Sequence, residues 1–226
     1  MTSTTFEFID RGRPDSIVLI PGWATDYRVF NSLELAFNYL VPIRLSPYTF
    51  EEALVATLED NNLGKISLFG WSMGGFLAYE FAIRNISLVD ELILVSIRGK
   101  YKKEEINKVE QALKVRKKGY LDRFFNDCFY GNHVPESKKD LFREYCRDME
   151  LDYLLNALSY LSKTEIKPEL LQQIQKITII HGEKDRIAPL CEAVEIKDAV
   201  DNARFILIEE SGHIPFLEEN FSRYLR

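Results

Sequence analysis

The sequence contains few of the residues that build disulfide frameworks or metal centres. Its 226 residues include three cysteines and three histidines. The cysteines, Cys128, Cys146 and Cys191, lack CxxC spacing, which argues against a disulfide framework and against a zinc site. A sparse, odd set of this kind is typical of a reducing compartment. We therefore expect a cytoplasmic protein without a bound metal.

Long apolar runs are missing as well. No run approaches the roughly 20 residues that a membrane-spanning helix needs, and the first eight residues lack the basic and apolar regions of a signal peptide. The formal net charge of −6 disfavours global attraction to nucleic acid. The composition, 46% hydrophobic and 28% charged, is that of an ordinary globular domain. We expect one domain with no membrane or nucleic-acid partner.

Short apolar runs alternate with helix-like segments through most of the chain. Runs typical of strands lie at 16–20, 40–44, 65–69, 91–95, 176–180 and 204–208, and helical segments lie at 50–58, from just after Ser72 to about 84, and at 190–200. This alternation predicts an α/β fold, with helices on a mostly parallel sheet. The short N-terminus leaves room for at most one more strand before Ser16.

Residues 98–165 interrupt this pattern. They contain four apolar stripes at helical spacing, within 106–113, 121–128, 141–149 and 151–158, and Gly119 is a predicted helix end. We therefore predict a core of residues 1–97 and 166–226 and an inserted helical cap of residues 98–165. The aromatic residues of the cap either line a ligand channel or form the core of the cap itself.

The strongest chemical signal is the segment Gly70-Trp-Ser-Met-Gly74, which follows a predicted strand and opens a predicted helix. A serine on such a sharp turn has a strained backbone, and glycine two residues to either side supplies the space that the turn needs. The serine hydroxyl then points above the carboxyl edge of the sheet, where open α/β folds bind ligands. Ser72 is the candidate nucleophile; the alternative is that the glycines form only a tight turn.

A nucleophilic serine needs a base, and the base needs an orienting acid. His213 is the candidate base, since it follows the last predicted strand and precedes a predicted C-terminal helix. His181 directly follows a strand and is expected to be structural, whereas His133 lies in the cap, with a surface position favoured over contact with substrate. Asp185, in the loop after the penultimate strand, is the candidate acid, and Glu183 is the alternative.

Four motifs resemble the α/β-hydrolase superfamily in order and spacing: Pro21-Gly-Trp23, Gly70-Trp-Ser-Met-Gly74, His181-Gly-Glu-Lys-Asp185 and Ser211-Gly-His213. Within it, the early Pro-Gly-Trp and the Gly-Trp-Ser-Met-Gly-Gly segment resemble the biotin-pathway carboxylesterases. Those enzymes cleave the methyl ester of pimeloyl-acyl carrier protein. The resemblance implies a serine carboxylesterase that acts on a short or medium acyl ester without a metal or organic cofactor.

The resemblance also implies an oxyanion hole formed by the backbone N–H groups of Trp23 and Met73. The indole rings of Trp23 and Trp71 either wall the acyl pocket or belong to the core. Further candidates for the substrate pocket are Arg98, Phe124 and Phe125. Arg98 either faces the pocket and meets a carboxylate or phosphate, or pairs with an acidic residue of the cap.

Positive charge is concentrated at the start of the cap. Between Arg98 and Arg123 the sequence has ten basic and four acidic residues, although the whole chain has a charge of −6. Such a segment is either a solvated face or a docking surface for an acidic partner. Acyl carrier protein is the partner that the resemblance implies, and the candidate docking residues are Lys102, Lys103, Arg116, Lys117 and Arg123.

Other functions use nearly the same residues. Thioesterases, C–C hydrolases and cofactor-free perhydrolases of this fold differ from esterases mainly in the shape of the pocket. A non-catalytic ligand-binding module is the alternative of another class. The presence of Ser72, Asp185 and His213 argues against that last alternative.

Overall fold

A computed structural model describes residues 3–147 and 149–225. Seven strands form one sheet: β1 (Thr5–Ile9), β2 (Ser16–Ile20), β3 (Asn38–Arg44), β4 (Ile66–Trp71), β5 (Val89–Val95), β6 (Ile177–Gly182) and β7 (Ala203–Ile208). Their order across the sheet is β1-β3-β2-β4-β5-β6-β7. Only β1 runs antiparallel to its neighbour. The predicted α/β fold is confirmed, with one strand before β2.

Helices connect the strands. They are α1 (Phe50–Asp60), α2 (Met73–Arg84), α3 (Lys103–Cys128), α4 (Glu136–Arg147), α5 (Leu151–Leu161), α6 (Pro168–Leu171) and α7 (Leu190–Asp198). Strands β2, β4 and β6 are buried along their whole length, as expected where helices flank a parallel sheet. Among the helices described in 3–147 and 149–225, none is both long and apolar enough to cross a bilayer.

In residues 98–165, the predicted cap, the described part contains α3, α4 and α5, and α3 consists of two helical segments that meet at a kink, so the region has the four helical segments that the stripes predicted. The first two stripes join in the 26-residue helix α3. Gly119 does not end this helix; the helical conformation is broken three residues earlier, at Arg116 (φ −153°, ψ 69°). The Arg116 side chain folds over Gly119, where a Cβ atom would lie 2.9 Å from its Nε. The glycine therefore permits a close approach instead of terminating the helix.

The predicted C-terminal helix is also wrong. Two short 3₁₀ turns, Pro215–Leu217 and Phe221–Tyr224, take its place. Asn220 between them has a left-handed backbone (φ 61°), which is incompatible with a continuous α-helix. The turns pack on the sheet through aromatic rings, with Phe216 and Phe221 at centroid distances of 6.0 and 6.2 Å from Phe69.

The topology selects one place on the sheet for a ligand. Strand β3 lies on one side of β2 and β4 on the other, so the strand order reverses at β2. In open α/β sheets, ligands bind outside the carboxyl ends of the strands at such a reversal. The segments that follow β2 and β4 here are Gly22-Trp23 and Ser72.

Candidate active site

Ser72 lies between β4 and α2 in a strained conformation, with φ 54° and ψ −117°. The backbone around it leaves no space for side chains. A Cβ atom on Gly70 would lie 2.4 Å from the carbonyl oxygen of Gly74, and one on Gly74 would lie 2.2 Å from the carbonyl oxygen of Ile20. Both glycines of the motif are therefore required by close backbone contacts, and the strain at Ser72 is of the kind found at functional sites.

The three residues predicted as a triad lie within hydrogen-bonding distance of one another. His213 Nε2 lies 2.9 Å from Ser72 Oγ, and His213 Nδ1 lies 2.8 Å from Asp185 Oδ2. The side chains of His213 and Asp185 are 1% and 0% exposed, and Ser72 is 6% exposed. Because the Asp185 carboxylate accepts a hydrogen bond from Nδ1–H and so keeps the proton on Nδ1, Nε2 is left as the acceptor for the serine hydroxyl. This arrangement can activate Ser72 for attack on a carbonyl carbon.

The loop after β6 fixes the ionised state of Asp185. Its Oδ1 accepts hydrogen bonds from the backbone N–H groups of Ile187 (2.8 Å) and Ala188 (2.9 Å). Burial alone would raise the pKa of Asp185, but the interactions with His213, His181 and the Ala188 N–H outweigh it and hold the pKa below its ordinary value. The carboxylate therefore stays charged across the neutral range.

Glu183, the alternative acid, points elsewhere: its Oε2 accepts a hydrogen bond from the backbone N–H of Glu210 at 3.0 Å. His133 is exposed. Among the acids and bases that the sequence offered, the structure therefore brings together Ser72, Asp185 and His213.

A cavity of about 180 Å³ opens beside Ser72. Most of its lining is apolar or aromatic, and charged groups lie among these side chains. The lining residues are Trp23, Ser72, Arg98, Tyr101, Glu105, Ile106, Val109, Tyr120, Phe124, Leu158, Leu161, Arg186 and Ile187. A concave and mostly apolar lining of this kind is typical of a small-molecule site.

Helix α3 contributes two walls of this cavity because it is broken at Arg116. Ile106 and Val109 come from its first half, and Tyr120 and Phe124 come from its second half. On the core side, the Trp23 indole meets the Phe124 ring edge-on at a centroid distance of 5.0 Å. The Trp23 Nε1–H donates to the carbonyl of Leu154 in α5. The indole therefore joins the core to the cap.

Two pocket candidates from the sequence lie outside this lining. Trp71 is 1% exposed, and its Nε1–H donates to the carbonyl oxygen of His213 at 2.8 Å. Its ring packs edge-on against Phe216 at 5.2 Å. Phe125 is turned into the cap core, next to the Phe124 ring. Trp71 thus contacts the histidine loop, whereas Phe124 faces the cavity.

Arg98 lines the cavity and also forms ion pairs. Its Nη2 and Nε lie 2.8 and 3.3 Å from the two carboxylate oxygens of Glu192 in α7, and its Nη1 lies 3.4 Å from Glu105 in the first turn of α3. The guanidinium also stacks on the Tyr101 ring at 4.6 Å. Arg98 therefore pairs with two carboxylates, one from the predicted cap and one from α7, while it lines the cavity.

Sequence reasoning missed Tyr101 and Arg186, which both line the cavity. Burial raises the pKa of Tyr101 well above its ordinary value, so its phenol stays protonated and can donate a hydrogen bond near Ser72. Arg186 is half-exposed and lies 3.8 Å from Asp127. Arg186 could have been found from the sequence because it directly follows Asp185. No sequence pattern points to Tyr101.

The predicted docking residues lie on the surface of α3 and just before it. Lys102, Lys103, Arg116 and Arg123 are exposed, whereas Lys117 is partly buried. The Lys117 ammonium donates to the carbonyl of Met149 at 2.8 Å, so it ties α3 to the residues just before α5. Val115, in the middle of this basic segment, is 87% exposed.

The segment after β2 runs directly against the nucleophile. A Cβ atom on Gly22 would lie 3.2 Å from the Ser72 Cβ, so the backbone of Trp23 is close to the serine. Met73 is the first residue of α2, and the first N–H groups of a helix have no partner within it. Both backbone segments that the oxyanion prediction requires therefore flank Ser72.

His181 supports the loop that carries Asp185. It is fully buried, and its Nε2 lies 2.9 Å from the carbonyl oxygen of Ala188. Since a carbonyl oxygen only accepts, Nε2 carries the proton. Burial lowers the pKa of His181 below its ordinary value, so the folded protein disfavours the charged imidazolium and holds this side chain as the neutral Nε2–H form.

We expect His181 to make the protein less stable as the pH falls. Because the folded pKa lies below the unfolded value of about 6.5, protonation favours the unfolded state, and stability present above that value is lost toward the lower folded pKa. In His181→Gln, an amide N–H replaces Nε2–H and does not titrate. Thermal unfolding between about pH 7 and pH 5 should show a smaller loss of Tm in the variant; parallel losses would contradict this role.

A strained serine between a strand and a helix, hydrogen-bonded to a histidine and an aspartate at one sheet edge, defines the α/β-hydrolase class. A family model described as "Alpha/beta hydrolase family" matches residues 17–225. The chain belongs to this family and is a hydrolase.

Individual relatives agree with this assignment. The chain is 26% identical to the AB hydrolase superfamily protein YisY of Bacillus subtilis, over 94% of this chain and 89% of that protein. It is 23% identical to a pimeloyl-[acyl-carrier protein] methyl ester esterase of Aliivibrio fischeri, over 92% and 90% of the two chains. The esterase EaEST from Exiguobacterium antarcticum shares the fold with a TM-score of 0.85 at 21% identity, over 100% of this chain and 98% of that one.

Proposed function

We propose that this chain is a serine carboxylesterase whose natural substrate is the methyl ester of pimeloyl-acyl carrier protein. The observation that carries the esterase proposal is the position of His213, whose two ring nitrogens lie 2.9 Å from Ser72 Oγ and 2.8 Å from Asp185 Oδ2. This is the geometry of nucleophilic acyl transfer.

In the proposed reaction, His213 Nε2 takes the hydroxyl proton as Ser72 Oγ attacks the ester carbonyl. The tetrahedral intermediate collapses, the alcohol leaves with the proton from His213, and the acyl group remains on Ser72. Water that His213 deprotonates then attacks the acyl-enzyme and releases the acid. Asp185 holds the imidazole in the required tautomer and stabilises the imidazolium.

The backbone N–H groups of Met73 and Trp23 would stabilise the oxyanion. Support comes from the start of α2 at Met73 and from the contact of Gly22 with Ser72. The positive end of the α2 dipole lies at the same place and favours negative charge there. These donors belong to the backbone, so the proposal does not depend on the identity of the two side chains.

The charges around the cavity favour an acyl chain without a free carboxylate. Arg98 is neutralised by Glu192 and Glu105, and Glu105 itself lines the cavity. A second carboxylate placed there would be repelled and poorly solvated. In the methyl ester of pimeloyl-acyl carrier protein neither end of the acyl chain is a free carboxylate, because one end is the methyl ester that Ser72 attacks and the other is joined to the carrier; this fits the environment.

Carrier binding is proposed for the basic surface formed by Lys102, Lys103, Arg116, Lys117 and Arg123. Four of these side chains are exposed, and the surface belongs to the same helix that lines the cavity. An acidic carrier protein would be steered to it, and charged rim contacts of this type weaken with salt. The relative from Aliivibrio fischeri is named for this substrate class.

The proposal is tested with purified wild-type protein and Ser72→Ala on p-nitrophenyl esters of increasing acyl length, then on dimethyl pimelate and pimeloyl methyl ester attached to acyl carrier protein. We expect hydrolysis by the wild type alone and a higher kcat/KM for the carrier-bound ester. That preference should fall with salt and in Lys102→Glu/Lys103→Glu. The matched control is Lys138→Glu, at an exposed lysine of α4.

The outcomes separate the two parts of the proposal. Ester hydrolysis without any preference for the carrier-bound ester would leave an esterase but contradict the carrier-bound substrate. Absence of hydrolysis on every ester, or equal hydrolysis by Ser72→Ala, would contradict the esterase itself.

The pairing of Arg98 with Glu105 and Glu192 gives a separate prediction. Octanoate and suberate p-nitrophenyl esters have the same chain length, but the suberate monoester ends in a free carboxylate. We expect kcat/KM to be about 10-fold higher for the octanoate ester, equivalent to about 1.4 kcal/mol. Glu105→Gln keeps an acceptor for the Lys102 N–H and should raise kcat/KM for the charged ester only. Equal rates on the two esters with the wild type would contradict this view of Arg98.

A further inference from the structure

The loop that carries His213 is covered by a segment of the cap. This segment, Cys128–Asn132, contains the end of α3 and the residues after it. The carbonyl oxygen of Cys128 accepts the backbone N–H of His213 at 3.2 Å. A Cβ atom on Gly212 would lie 1.9 Å from the carbonyl oxygen of Tyr130. Cap backbone and histidine loop are therefore in direct contact, with no side chain between them.

Asn132 lies at the centre of this contact and is 8% exposed. Its Nδ2 lies 2.9 Å from Ser211 Oγ, 3.2 Å from the carbonyl oxygen of Ile214 and 2.6 Å from Glu218 Oε1. Its Oδ1 has no hydrogen-bond partner among residues 3–147 and 149–225, so the side chain serves as a donor. These acceptors lie on both sides of His213 in sequence.

Other contacts complete the support of this loop. Ser211 Oγ donates to Glu218 at 3.1 Å, and its carbonyl oxygen accepts the backbone N–H of Lys184 in the loop of the triad acid, at 2.8 Å. From the end of β4, the Trp71 indole N–H donates to the carbonyl oxygen of His213. The loop backbone thus helps to set the position of the imidazole, and Asn132 provides the side-chain connection of this loop to the cap.

We propose that Asn132 is a positioning residue for the general base: it holds the His213 loop so that Nε2 stays at hydrogen-bonding distance from Ser72. The inference rests on the proposed role of His213 in ester hydrolysis. Asn132 is absent from the residues that line the cavity, so it acts through the loop. A displacement of about 1 Å in such a constellation costs on the order of 100-fold in rate.

The test is steady-state hydrolysis of the p-nitrophenyl ester that the wild type cleaves best. In Asn132→Ala we expect kcat to fall by about 10- to 100-fold with KM changed less than about 2-fold, because the acyl cavity is intact. The matched control is Asn126→Ala, another cap asparagine, which accepts a hydrogen bond from Arg143; its kcat should equal that of the wild type. If Asn132→Ala does not fold, Glu218→Ala removes the shared acceptor and takes its place.

Rescue separates positioning from general stability. Asn132→Asp places a carboxylate against the carboxylate of Glu218. In Asn132→Asp/Glu218→Gln, the glutamine amide at position 218 donates and the aspartate at position 132 accepts, so the hydrogen bond is restored in the reverse direction. We expect the double variant to recover part of the kcat that Asn132→Asp loses, because the hydrogen bond to residue 218 is restored while the carbonyl oxygen of Ile214 stays without its donor. Unchanged kcat in Asn132→Ala, a change in KM alone, or no recovery in the double variant would overturn the inference. If the wild type hydrolyses no ester, it is instead the proposed function that fails.

Discussion

Ser72→Ala should lower kcat for ester hydrolysis by roughly 10⁴- to 10⁶-fold. The alanine removes the attacking oxygen but leaves the cavity and the His213–Asp185 pair in place. Substrate binding should therefore survive, and the variant should bind a non-hydrolysable analogue with nearly wild-type affinity. Kinetics on p-nitrophenyl esters and equilibrium binding by fluorescence of the tryptophans measure these two quantities separately.

A second substitution at this position separates the chemistry from the backbone strain. Ser72 has a positive φ, which costs a non-glycine residue about 1–3 kcal/mol. Ser72→Gly should therefore be as inactive as Ser72→Ala but more stable than the wild type in urea unfolding, by about 1 kcal/mol. Residual activity near the wild-type level in either variant would contradict Ser72 as nucleophile.

Asp185→Asn should lower kcat by about 10⁴-fold. The backbone N–H groups of Ile187 and Ala188 donate to Oδ1, so the asparagine carbonyl will occupy that position. Its amide then faces His213 Nδ1 in place of Oδ2. An amide N–H donated to Nδ1 leaves the proton of the neutral imidazole on Nε2, and Nε2 can no longer accept the proton of Ser72.

The control is Glu183→Gln, two residues away in the same loop. Glu183 accepts a backbone hydrogen bond that glutamine can also accept, so its kcat should be unchanged. Imidazole proton resonances in NMR spectra would report the tautomer of His213 directly. A loss of activity in Glu183→Gln equal to that in Asp185→Asn would reverse the assignment of the acid.

Local pattern was enough to predict the sheet and the residues at its edge. The predicted strands at β2 and β7 lie within one residue of the observed bounds, whereas β3 and β5 begin two residues earlier than predicted and β4 and β6 end two residues later. The positions of Ser72, Asp185 and His213 followed from the same reasoning, because parallel strands end at one edge. These predictions required only the position of each residue relative to its strand, and that position can be read from the sequence.

Contacts between distant segments could not be predicted in the same way. Arg98 pairs with Glu192, 94 residues further along the chain, and nothing in the spacing of acidic residues singles out Glu192. Asn132 is one polar residue in a connection between cap helices, and its partners Ser211 and Glu218 become adjacent only when the cap lies on the core. The sequence also could not show that the Trp71 side chain points away from the cavity, because its direction depends on the strained turn beside it.

Helix ends were predicted least well. Gly119 was predicted to end a helix, but α3 continues past it, because side-chain packing by Arg116 uses the space that glycine leaves. The segment after His213 has helical composition but forms 3₁₀ turns around Asn220. In the first case a side-chain contact within the helix, and in the second the packing of Phe216 and Phe221 on the sheet, overrides a helix preference that differs by up to about 1 kcal/mol per residue.

Covalent labelling tests the central assignment most directly. The protein is incubated with a fluorophosphonate, which reacts with a serine that a neighbouring base activates, and the site of modification is located by mass spectrometry of its peptides. We expect one adduct per chain, on Ser72, formed in step with the loss of ester hydrolysis and strongly slowed in His213→Ala. Ester hydrolysis that persists in protein fully labelled at Ser72, or labelling at another residue that removes activity, would contradict the proposed triad.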